Sequence, residues 1–79
     1  MDKIVSEILS KFKSKDFVNK IVNVDGKYVI IIKPDDKYVL DSFYIYDKGK
    51  FIPYSPNKEF PKFLEAAKKP LYERGKKNV

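Results

Sequence analysis

The chain contains no cysteine and no histidine, and a single arginine, Arg74. Without cysteine there is no disulfide and no thiolate metal site. Without histidine the commonest general base and the commonest metal ligand are both missing. Arginine is the side chain best shaped for forked contacts with phosphates and base edges, so its scarcity counts against sequence-reading of nucleic acid. No apolar run approaches the length needed to span a membrane. The N-terminus carries no secretory hydrophobic stretch, and the expectation is a cytoplasmic protein.

What is present is lysine, tyrosine, phenylalanine and β-branched residues. The 79 residues carry a net charge of +6. Residues 61–79 hold six basic residues against two acidic ones, whereas residues 21–60 balance six against six. The excess is therefore concentrated near the C-terminus, and residues 71–79 read as a basic, flexible tail on a single small domain spanning 1–79. The abundance of lysine, isoleucine, tyrosine and asparagine is also what an AT-rich coding sequence produces.

Hydrophobic spacing divides the chain into elements. Ile4, Val5, Ile8, Leu9 and Phe12 recur at helical spacing and predict a helix over 2–14. The period then changes to that of strands. "FVNKIVNV" (17–24) and "KYVIIIK" (27–33) flank Asp25-Gly26, the strongest short hairpin signal. Pro34-Asp35-Asp36-Lys37 reads as a tight turn leading to a third strand over 38–46. Lys48-Gly49 is a further turn before a fourth strand over 50–54. Pro53 lacks a backbone donor, which places that strand at the sheet edge. Ser55-Pro56 or Asn57 opens a second helix, with Pro61 tolerated in its first turn and Pro70 ending it. The pattern α-β-β-β-β-α predicts an α+β fold of two layers, a four-stranded antiparallel meander with both helices on one face.

Tight turns fix register, and register decides which side chains share a face. A turn centred on Asp35-Asp36 pairs Ile31 with Leu40. Ile21, Tyr28, Ile30, Phe43, Ile45 and Ile52 then share the helix-covered face, with Asp41 mid-strand among them. Tyr38, Tyr44, Tyr46 and Phe51 share the other face with Lys20, Lys27 and Lys33. That second face is too apolar to stand open. Burying a large apolar side chain is worth roughly 1.5–3 kcal/mol, so seven of them left half wet forgo about 5–10 kcal/mol.

The expected function is a non-catalytic protein-binding or self-assembly module, a homodimer or a complex with another protein. Tyr38, Tyr44, Tyr46 and Phe51 are the candidate contact residues, with Lys20, Lys27 and Lys33 as the rim. The alternative is single-stranded RNA or DNA lying on the same tyrosines, with the lysines and the tail meeting phosphates. Catalysis is not expected. The serines have no histidine to activate them, and Asp35 and Asp36 sit together in a turn, where such residues serve local hydrogen bonds. No cofactor, metal or small-molecule substrate is implied, and no membrane partner.

Overall fold

A computed structural model describes residues 3–12, 18–33 and 40–75. The class is α+β, as the sequence predicts. Helix α1 (Lys3–Lys11) is followed by β1 (Val18–Val24), β2 (Lys27–Ile32), β3 (Ser42–Asp47) and β4 (Lys50–Pro53). Helix α2 (Phe60–Ala67) and a short strand β5 (Tyr72–Glu73) complete the described chain. The sheet is antiparallel in the order β4-β3-β2-β1-β5. Among the described residues it therefore has five strands where four were expected.

Both two-residue hairpins form where the sequence places them. Asp25 and Gly26 have φ of 56° and 86°, and Lys48 and Gly49 have φ of 47° and 84°. Two successive positive φ angles match the right-handed twist of the flanking strands. The Asn23 side chain accepts a hydrogen bond from the Gly26 N–H at 2.9 Å and closes the first turn. Register then follows as predicted: Val22 pairs with Val29, Ile21 with Ile30, and Ile45 with Ile52. Strand β4 lies at the edge, with Pro53 withholding a donor from the open side.

The β2–β3 pairing differs. Ile31 pairs with Phe43, not Leu40, a shift of three residues. The turn expected at 34–37 lies outside the described residues. Because side chains alternate with period two, an odd shift turns every residue of β3 and β4 over to the opposite face. Strand β3 begins at Ser42, and Asp41, expected mid-strand, is exposed just before it. Leu40, expected to be paired, is 86% exposed.

The shift changes the layering. Val5 and Ile8 of α1 are buried with Ile21, Ile30 and Tyr46. Phe63 of α2 is buried with Val22, Val24, Val29 and Ile31. Ile21 and Val22 are neighbours in one strand, so they point to opposite faces. The helices therefore cover opposite faces, and the protein has three layers where two were expected. A sheet covered on both faces is what continuous apolar strands such as "YVIII" call for. Residues Val18 and Ile21 reach the same cluster because the β1–β2 register shifts between Val18 and Lys20.

The C-terminal segment is also more structured than its composition suggests. Leu71 N–H donates to the Ile21 carbonyl and Arg74 N–H to the Asn19 carbonyl, each at 2.8 Å. Tyr72 packs on the α1-side core and Glu73 pairs with Lys20 at 3.3 Å. Residues 71–75 thus form the outer edge of the sheet, beginning where a tail was expected; 76–79 lie outside the described residues.

Candidate functional site

The seven residues singled out by sequence do not form one surface. Tyr44, Tyr46 and Phe51 face α1. Lys20 and Lys27 lie on the α2 side, because Lys20 pairs with Ile31 and Lys27 alternates with Val29 and Ile31, and Lys33 is exposed just beyond β2. Tyr38 lies outside the described residues. The odd register shift separates rings from lysines, and the composite platform expected from the sequence does not exist.

The tyrosine side is covered by the chain itself. Phe12, just beyond α1, meets Phe51 edge-on at 5.1 Å and Tyr44 at 6.3 Å. Tyr46 packs on Phe51 at 5.2 Å and is only 8% exposed. Its hydroxyl donates to the Glu7 carboxylate, which fastens the middle of α1 to β3. That bond, with burial second, holds the Tyr46 hydroxyl above the ordinary tyrosine value of 10.0, although nearby Lys11 pulls the other way. A carboxylate acceptor stabilises the protonated phenol, since a phenolate beside it would be repelled.

The α2 side is built differently. Phe63 stands edge-on against Phe43 at 5.2 Å and is buried, with Ala66 beside it. Glu59, at the N-cap of α2, makes no capping bond with its side chain. Its carboxylate instead accepts from the Tyr54 hydroxyl at 2.9 Å and meets Lys27 at 3.6 Å. One acid thus ties the start of α2 to β2 and to the residue just after β4. The Tyr54 hydroxyl is also held above 10.0, first by burial and then by its bond to Glu59. Lys62 reaches Asp25 of the first hairpin at 3.2 Å and anchors the other flank of the helix.

This cover is incomplete. Phe60 and Leu64 of α2 are each 47% exposed, and Ile52 of β4 is 44% exposed. Phe60 stacks on Phe63 at 6.3 Å, so it continues the aromatic row outward into solvent. Ile52 pairs with half-buried Ile45 on the same face. Lys27, Ile45, Asp47 and Ile52 line a shallow hollow of about 370 Å³ there. Lys27 also lines a neighbouring hollow of about 480 Å³ with Ser55, Asn57 and Lys58. The sequence places Ile45 and Ile52 on the helix-covered face, yet Ile52 is nearly half exposed; Phe60 and Leu64, four apart along α2, are also left partly exposed while Phe63 and Ala66 pack against the sheet.

Among the described residues no group of three or more acidic side chains is placed to hold a metal ion, and no polar side chain is buried without a partner. Among the described residues no helix is long and apolar enough to cross a membrane. Comparison with protein-family models, curated proteins and solved structures finds no match.

Proposed function

We propose that this protein is a non-catalytic protein-binding module that docks through the α2 side of its sheet. The observation that carries the reading is the exposure of Phe60, Leu64 and Ile52 on one side of a sheet whose other side keeps its described large strand side chains buried or half-buried. Large apolar side chains grouped beside charged ones mark association surfaces, with aromatic and aliphatic anchors supplying desolvated contact. Lys27 lines both hollows beside these side chains, whereas Lys20 is engaged by Glu73, and Tyr44, Tyr46 and Phe51 pack on the α1 side. The nucleic-acid alternative loses its main support once tyrosines and lysines lie on opposite faces.

The test pairs the wild-type protein with an Ile52→Asp/Phe60→Ser variant, as baits for affinity capture and in sedimentation over a concentration range. A stoichiometric protein partner, another copy or a different chain, held by the wild type and lost by the variant is the expected result. Identical partner sets from both baits, and no self-association by either, would contradict it.

A further inference from the structure

Resting on that reading, we infer that the occupant of the α2-side surface is an acidic amphipathic segment of another protein and not a second copy of this chain. Charge distinguishes the two occupants. Three lysines are placed around this surface: Lys27, which lines both hollows, Lys50 on the same strand face as Ile52, and Lys58 before α2. Lys27 has a carboxylate partner, Glu59. Lys50 and Lys58 have none within salt-bridge distance among the described residues. Asp47 is the acid that faces the smaller hollow, opposite Lys50 in the β3–β4 register.

A two-fold homodimer brings the same patch against itself. Here that would set lysine rim against lysine rim, in a chain whose net charge is already +6. Like charges facing each other across an interface disfavour the pairing, whereas carboxylates from a partner would meet unpaired lysines and steer the encounter. The apolar floor of Ile45 and Ile52, together with Phe60 and Leu64 one helical turn apart, calls for leucine- or phenylalanine-type anchors on the incoming segment. Acidic charge and spaced apolar anchors together define the ligand.

The probes are a synthetic amphipathic peptide of leucine and glutamate, its counterpart with lysine for every glutamate, and a thymidine single strand. Each is titrated into methyl-labelled protein. The glutamate peptide is expected to shift the Ile45, Ile52 and Leu64 methyl signals. A Lys50→Glu/Lys58→Glu variant should bind it about tenfold more weakly, and added salt should weaken it too. Equal shifts from the two peptides, or dimerisation that moves the same methyls, would overturn the acidic assignment while leaving the docking surface standing. Thymidine strand binding at those methyls more tightly than the glutamate peptide would overturn it in favour of nucleic acid. Methyls indifferent to every probe and to protein concentration would remove the docking surface itself.

Discussion

The two faces of the sheet make a controlled comparison, since each is apolar and each is covered by one short helix. On the α1 side, large rings fill the space: Phe12, Tyr44, Tyr46 and Phe51 interlock, and a hydroxyl–carboxylate bond fixes the helix over them. On the α2 side the strands present the smaller Val22, Val24, Val29 and Ile31, and one ring, Phe63, does most of the filling. The first face keeps its described rings buried or half-buried, and the second leaves Ile52, Phe60 and Leu64 nearly half exposed. Two helices of similar length, nine and eight residues, thus produce a core on one side and a surface fit for a partner on the other.

The strongest way to break this comparison is to remove the anchor of each side. Ile8→Ala should cost about 2–5 kcal/mol and Phe63→Ala about 3–5 kcal/mol in denaturant unfolding, because both are buried. For a chain of this size either loss approaches the whole stability. A cost below about 1 kcal/mol at either position would show that the helix in question does not seal its face.

A smaller effect is expected from the hydroxyls. Tyr46→Phe should lower stability by less than either core truncation, since its bond is to Glu7, a charged group that retains access to water. The pH dependence sharpens the point. Both Tyr46 and Tyr54 are held above 10.0 in the folded chain, so the native state binds these protons more tightly than the unfolded state. Their stabilisation is complete below the unfolded value and is lost as pH rises through the higher folded values. Unfolding midpoints should fall on the alkaline side of 10.0, and a Tyr46→Phe/Tyr54→Phe variant should show a shallower fall. Superimposable pH profiles would contradict the role given to the hydroxyls.

The least effect on stability, and the greatest on association, is expected on the open side. Ile52→Asp and Leu64→Ser should each cost about 1 kcal/mol, because each side chain is nearly half exposed. Losses of 2 kcal/mol or more, roughly the value of a buried side chain, would mean that these residues belong to the core and not to a docking surface.

Much of this fold was legible in the sequence, and the point of failure was specific. Asp25-Gly26 and Lys48-Gly49 announce their hairpins because few residues accept two consecutive positive φ angles. Pro53 marks the edge, and Pro61 sits in the first turn of α2 as expected. Between Lys33 and Ser42, local turn chemistry suggested one register and tertiary burial selected another. The selected register gives each apolar face its own helix, a gain that no four-residue window can display. The sequence did carry the clue, a sheet too apolar to be covered on one side only, but the missing cover is α1, not an outside molecule. Strand β5 was invisible for a similar reason: Tyr72-Glu73 has no strand pattern of its own and is held by the exposed edge of β1.

The account stands on the β2–β3 register, and cross-strand nuclear Overhauser contacts between backbone protons test it most directly. The prediction is that Val29 shows its contacts to Ile45 and Ile31 to Phe43. Contacts from Val29 to Ser42 and from Ile31 to Leu40 would contradict it, returning Tyr44 and Tyr46 to the face that carries Lys27 and Lys33.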